Sequence, residues 1–208
     1  AKKMVTYTRG RNIYGWEHAG VNYSFNVGTG TGTHVDYGSA TDGLFWVKSK
    51  TQFRDILDGT SNTIMLAETL MGPGSDLAEI PYHMNGKYIA SGSGRDVSDM
   101  QTYRDTVWAQ DPRTFIDSHT SWSGTRNTAW ISGFGSGGGS LNGWYTPNNA
   151  LPDLAVRAYM VSGPRSQHAG GVMIGLADGS VRFITDSIEL ELYRGLWTVR
   201  GREITTEF

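Results

Sequence analysis

Cysteine is missing altogether from this 208-residue chain. That excludes a disulfide framework, a thiolate metal site and a cysteine nucleophile, and it leaves the redox compartment open, because exported proteins can also lack cysteine. An excess of charge of either sign is missing too. Eighteen basic against twenty acidic residues leave a formal net charge of −2, so no sequence-wide field points to nucleic acid or an anionic membrane surface. Apolar runs are short, and none approaches the about 20 residues that a spanning helix needs. The start, AKKMVTYTRG, carries charge without the apolar core of a signal peptide. The chain as given is therefore expected to be soluble, with no membrane span and no export signal of its own.

Several catalytic signatures are equally missing. The chain contains no H-E-x-x-H, no G-x-S-x-G, no G-x-x-x-x-G-K-[ST] and no D-x-[DN]-x-[DN]-G calcium loop. Gly133 to Gly138 formally satisfies G-x-G-x-x-G, but the following SLNGWYTPNN is not helical, so the tract reads as a flexible loop and not as a dinucleotide site. Serines are abundant, yet none is marked as a nucleophile. No enzyme activity is expected.

What is present is turn chemistry and aromatic rings. Twenty-eight Gly with seven Trp, ten Tyr and seven Phe describe a loop-rich, β-leaning chain long enough for one domain with its own core. Residues 1–70 read as short strands between turns: Val21, Tyr23, Phe25 and Val27 alternate, Phe53, Ile56 and Leu57 fit one helical turn, Asp58-Gly59 breaks it, and Thr63 to Glu68 is an apolar strand. Residues 71–165 hold MGPGSD, SGSGRD and SGFGSGGGSLNG with scattered tryptophans and little periodicity, which predicts an elaborated insertion of loops and short strands without a core of its own. Residues 166–208 are the most patterned. GVMIGLA and SVRFIT flank Asp178-Gly179, predicting a hairpin with a two-residue primed turn in which Leu176 faces Val181 and Ile174 faces Phe183. A helix should follow, capped at Asp186 with Glu189, burying Ile188, Leu192, Tyr193, Leu196 and Trp197 and closed by Gly201.

Nine residues separate His168 from Asp178-Gly179. With NYSFNVGTG, DGLF, FRDILDGTSNTIMLAET, PNN, SQHAGGVMIGLADGSVRFITDSI and YRGLWTVRGREI in that order, the chain resembles the bacterial H-X9-DG family of prepilin-type, pseudopilin-related proteins. The blocks cover the first third and last quarter and leave the middle unmatched. The resemblance implies an α+β, pilin-like head with an antiparallel sheet, a short C-terminal helix and a long loop-rich insertion, all in one domain. It implies an exported structural subunit at the envelope, the cell surface or outside the cell, partnered by further copies or other pilin-like subunits. Family members usually begin with a cleavage site and a hydrophobic helix, which the given chain does not show.

For the individual residues both structural and functional readings stand. His168 is expected as a clasp on the backbone near the Asp-Gly turn or on a neighbouring strand, with metal ligand or base as alternatives. Asp178 and Gly179 are expected as the turn itself. Asp58, Gly59, Thr60, Ser61 and Asn62 form an oxygen-rich turn; with Asp55 and Glu68 they offer a calcium alternative, though no cofactor is expected. Trp108, Trp122, Trp130, Trp144 and Tyr145 are expected to pack over loops that lack aliphatics or, with Arg126, to be buried in a subunit interface, with stacking on a glycan as the alternative.

Overall fold

A computed structural model describes residues 5–6, 17–130 and 138–201; most of the G-x-G-x-x-G tract lies outside them. The strands are β1 Val5–Thr6, β2 Glu17–His18, β3 Tyr23–Asn26, β4 Ile64–Glu68, β5 Ile89–Ser91, β6 Trp122–Ser123, β7 Ser140–Leu141, β8 Asp153–Val156, β9 Tyr159–Val161, β10 Gly171–Leu176 and β11 Val181–Thr185. The helices are α1 Val97–Trp108, α2 Pro112–Ser118 and α3 Leu190–Gly195. A two-stranded ribbon β1-β2 accompanies a five-stranded sheet ordered β11-β10-β4-β3-β7 and a four-stranded sheet ordered β6-β5-β8-β9. The fold is α+β, and both larger sheets mix antiparallel with parallel pairs, β3 with β7 and β5 with β8.

The first sheet buries its inner face under α3. Ile64, Ala67, Val172, Ile174, Leu176 and Ile184 pack there against Tyr193, Leu196 and Trp197. β3 departs from the expected pattern, because it turns Ser24 and Asn26 inward and leaves Tyr23 and Phe25 about half exposed. The inversion is tolerated because the buried amide of Asn26 is satisfied: its Nδ2 donates to the Ile64 carbonyl at 2.7 Å and the Trp197 carbonyl at 3.1 Å, while its Oδ1 accepts from Gly28 N at 2.7 Å.

The hairpin closes differently from the primed two-residue turn. Gly179 N donates to Leu176 O at 3.0 Å and Leu176 N to Ser180 O at 2.9 Å, so Ala177, Asp178 and Gly179 form a three-residue turn. Gly179 takes φ +87°, and Asp178 is not among the positive-φ residues. Ala177 is pulled into the sheet by its N–H bond to Thr63 O at 2.9 Å, which explains why it cannot serve as a paired strand residue. The register therefore slips by one, to Gly175 opposite Val181 and Ile174 opposite Arg182. A one-residue slip exchanges faces, so Val181 and Phe183 point outward and only Ile184 of β11 is buried.

Region 71–165 has more order than its composition predicts. Asp96 caps α1 by accepting from Asp99 N at 3.1 Å, and Asp111 with Pro112 starts α2 by accepting from Thr114 N at 2.9 Å. Met100, Arg104 and Val107 form the buried stripe of α1. With Tyr88, Phe115, Ile116, Trp122, Leu154 and Val161 this region encloses an apolar cluster of its own, correcting the expectation of a coreless insertion. α3 also begins later than expected: Glu189, not Asp186, caps it through Leu192 N at 2.7 Å, and the helix ends at Gly195 rather than Gly201. Phe53–Asp55 is a single 3-10 turn in which Phe53 and Leu57 stay exposed and only the following Ile56 is buried.

Candidate functional site

The residues that the sequence singles out divide into a frame, a buried ion cluster and an open sheet face. His168 and Asp178 lie beyond opposite ends of β10, so they are not one site. His168 is exposed, and its Nε2 stands 3.3 Å from Glu68 Oε1, while Glu68 Oε2 accepts from Met173 N at 3.2 Å. Of the two placements expected for the clasp, His168 takes the neighbouring strand, meeting the Glu68 side chain of β4 and not the Asp-Gly turn. Asp178 Oδ1 accepts from Ser180 Oγ at 2.7 Å and Ser180 N at 2.9 Å. The serine hydroxyl and amide hold this exposed carboxyl below its usual range, so it is a poor base at neutral pH.

The Asp58–Asn62 turn clips the C-terminal segment to the sheet. Asp58 Oδ2 accepts from Thr198 Oγ1 and Gly201 N, both at 2.8 Å; Asn62 Nδ2 donates to Asp58 O at 3.1 Å; Gly59 takes φ +96°; Thr60 O accepts from Asp178 N at 3.0 Å. Asp55 is occupied elsewhere, accepting from Gln52 N at 2.9 Å and pairing with Arg200. Glu68 is on the outer sheet face with His168. Asp55, Asp58 and Glu68 therefore do not converge, and among the described residues no group of three His, Cys, Asp or Glu side chains is placed to hold a metal.

The interface and glycan candidates are mostly interior. Trp122, Arg126, Trp144 and Tyr145 are buried by this chain itself, and only Trp130, 62% exposed, and Trp108, 40% exposed, reach the surface. Arg126 Nε meets Asp153 Oδ2 at 2.6 Å, Arg165 Nη2 meets Asp153 Oδ1 at 3.1 Å, and Ser162 Oγ and Gly163 N complete the carboxylate. The guanidinium protons left over go to Thr69 Oγ1 and the carbonyls of Leu70, Gly163, Asn149 and Leu151. Burial pushes the Asp153 carboxyl up, but the two arginines outweigh it and hold the group below the usual carboxylate range. Trp144 lies between two guanidinium groups, Arg104 at 4.0 Å and Arg194 at 4.6 Å from the ring centre. Trp108 stacks on Tyr145 at 5.8 Å. Arg126, Asp153 and Arg165 tie the two sheets together, and the rings of Trp122, Trp144 and Tyr145 are not available to a ligand.

The outer face of the five-stranded sheet is apolar and open. Register places Val181, Gly175, Leu66 and Phe25 in one row, and Phe183, Met173, Glu68 and Tyr23 in the next. Phe25 makes an edge contact with Phe45 at 5.2 Å, beside a recess of about 200 Å³ that reaches Val27 and Trp46. A second, larger cleft of about 770 Å³ lies between the Thr29–Thr51 loops and the C-terminal segment. Trp46 forms one wall; Asp42, held by Thr29 N at 2.9 Å and Thr29 Oγ1 at 2.6 Å, and Arg194, bound to Glu191 at 3.0 Å, belong to the polar remainder.

A protein-family model, SBP_bac_10, described as a protein of unknown function (DUF1559), matches residues 2–191. The chain belongs to this family. Comparison with the curated proteins and with the solved structures finds no match. The family match runs through the middle region and stops at residue 191, short of the YRGLWTVRGREI block. None of the described helices is long and apolar enough to cross a membrane.

Sequence reasoning missed the two features that matter most. Asp153 and Arg165 carried no motif; the only signal was a lone acid at the head of the otherwise apolar DLAV. The outer face has no signal in the sequence, because the alternation of Tyr23 and Phe25 does not say which side of the sheet they take, and they face outward.

Proposed function

We propose that this chain is a non-catalytic, extracytoplasmic structural subunit related to type II secretion pseudopilins and type IV pilins, and that a neighbouring subunit covers the outer face of its five-stranded sheet. The observation that carries the reading is that face: two rows across four strands in which Glu68 is the sole charged member, its Oε1 3.3 Å from His168 Nε2. Contiguous exposed apolar surface of this kind marks interaction sites. The ordered H-X9-DG blocks support a pilin-related assembly over other kinds. The deciding experiment is sedimentation velocity over a wide concentration range on the wild type and on a Tyr23→Ser/Phe25→Ser variant. Concentration-dependent larger species that the variant loses, with its melting temperature unchanged, are expected. A wild type that stays monomeric at every concentration defeats the assembly reading.

A second reading, a module for a glycan or another surface ligand, has one observation in its favour, the cleft beside Trp46. One aromatic wall with threonine hydroxyls and balanced charge suits a neutral polyol such as a sugar. Titration of oligosaccharides against tryptophan fluorescence, with Trp46→Ala as the control, tests it. Saturable quenching lost in Trp46→Ala supports the reading; flat titrations remove it.

A further inference from the structure

We propose that the loop 48–57 is a tip that docks on the surface of an anionic lipid bilayer, with Phe53 and Leu57 as its apolar anchors and Lys48, Lys50 and Arg54 as the cations that meet the headgroups. The inference goes beyond the assembly reading and does not depend on it. It starts from exposure. Phe53, 75% exposed, is the most exposed large apolar side chain among the described residues, and Leu57, in the same loop, is 58% exposed. Neither belongs to the open face of the five-stranded sheet.

The loop holds these two side chains out on a fixed frame. Gln52 N donates to Asp55 Oδ2 at 2.9 Å and Asp55 N to Gln52 O at 2.8 Å, which closes the 3-10 turn under Phe53. Thr51 Oγ1 donates to Leu44 O at 2.8 Å, and Leu57 N to Val199 O at 2.7 Å. Ile56 is the root: it is buried with Leu44, Ala177 and Val199. The frame is thus tied down on both sides of the turn while its two apolar ends stand in solvent, and anchors ordered in advance lose little freedom on docking.

Charge names the partner. The stretch KSKTQFR, residues 48–54, carries three cations and no acid in a chain whose net charge is −2. Lys48, Lys50 and Arg54 are all exposed. Among the described residues none of the three meets an acid or stacks on a ring. The acids that follow them are engaged: Asp55 with Gln52 N and with Arg200 at 3.5 Å, Asp58 with Thr198 Oγ1 and Gly201 N. Lys48 also takes φ +66°, a left-handed conformation that glycine adopts freely and a side chain does not. A solvated loop gains nothing from a lysine in that place, whereas a surface of phosphates does. Apolar side chains standing beside unpaired cations match the boundary between headgroups and acyl chains, where both find a partner. A soluble polyanion would use the cations and leave Phe53 and Leu57 idle. Two anchors and three cations give an adhesion that is reversible and weakened by salt.

Co-sedimentation at low salt with vesicles of equal parts phosphatidylglycerol and phosphatidylcholine, and with vesicles of phosphatidylcholine alone, tests the tip. The wild type is expected to bind the first and not the second. At about 1 kcal/mol, or about fivefold, for each cation near a charged surface, Lys48→Gln/Lys50→Gln/Arg54→Gln should bind about a hundredfold more weakly. Phe53→Ser/Leu57→Ser should lose at least about tenfold. Lys48→Gly, which suits the left-handed backbone, should keep the melting temperature and still bind about fivefold more weakly. A wild type that ignores anionic vesicles overturns the proposal, and so does binding that survives the loss of all three cations. Undiminished binding by the serine variant would make the loop a site for a soluble polyanion and overturn the lipid assignment. Sedimentation velocity on the same variants separates the two readings. Unchanged self-association is expected; self-association that disappears with the tip would make it a subunit contact and overturn its docking on lipid. A wild type that binds vesicles but is monomeric at every concentration leaves the tip standing and defeats the assembly reading alone.

Discussion

Replacing Asp153 by Asn is the sharpest test of what joins the two sheets. The change preserves shape and volume but removes the only carboxylate between Arg126 and Arg165, all three side chains being at most 4% exposed. Two buried guanidinium groups would then face each other without a counter-charge, and the bonds from Ser162 Oγ and Gly163 N would lose their ionic acceptor. Removing one partner of a buried ion pair costs about 3–5 kcal/mol, a large share of the about 5–15 kcal/mol that a domain has in total. With a urea slope of about 2–3 kcal/mol/M, the unfolding midpoint should fall by about 1–2 M. The pH dependence gives an independent check. The folded Asp153 carboxyl lies below its unfolded value, so its contribution is fully present above about pH 4 and is lost as pH falls through the folded value. The gap between wild type and Asp153→Asn should therefore be constant from neutral pH to mildly acid conditions and narrow in stronger acid, where the wild-type carboxyl also becomes neutral. Urea titrations followed by tryptophan fluorescence across that range would measure both. A variant within about 1 kcal/mol of wild type at neutral pH, or a gap that does not narrow in acid, would falsify the reasoning.

Further outcomes follow from the frame. Gly179→Val meets no crowding but must adopt φ +87°, so it should cost about 1–2 kcal/mol of backbone strain; an unchanged melting temperature would show that the turn does not need a left-handed residue. Trp197→Ala removes a fully buried ring that meets Tyr193 edge-on at 5.9 Å and should cost about 3–5 kcal/mol, read by urea unfolding. His168→Ala, at a position 61% exposed, should cost less than about 1 kcal/mol; a loss of several would mean that the Glu68 clasp holds far more than one exposed pair. Millimolar calcium should leave the melting temperature unchanged, and a rise abolished by Asp58→Ala would restore the metal alternative.

The parts of the fold that were legible are those governed by local rules. The strand ending at Glu68, the Asp-Gly hairpin and the apolar stripe of α3 all follow from spacing and turn residues. The errors arose where a distant partner decided the outcome. Thr63 O takes the Ala177 amide and so lengthens the turn by one residue, which exchanges the faces of Val181 and Phe183. The capping acids Asp96 and Asp111 were visible in the sequence but were outweighed by the surrounding glycines. Trp122, Trp144 and Tyr145 are packed as rings over loops poor in aliphatics, but the arginines that flank Trp144 lie 40 and 50 residues away in the chain and have no local signal. Asp153 meets Arg126 across 27 residues, and nothing in either local stretch announces the pairing.

The amide of Asn26 bears on the order in which the chain can fold. It bridges Ile64 and, across 171 residues, Trp197, so β3 is finished only by a carbonyl that is made long after it. A nascent chain that stops short of Trp197 leaves one donor of that amide unsatisfied and the inner sheet face without its covering helix. Because such distant closures must be reached before they stabilise anything, folding is expected to be slow and to be completed only once Trp197 has been made. Truncations that end before Trp197 should accordingly be captured by chaperones or degraded rather than accumulate as folded fragments.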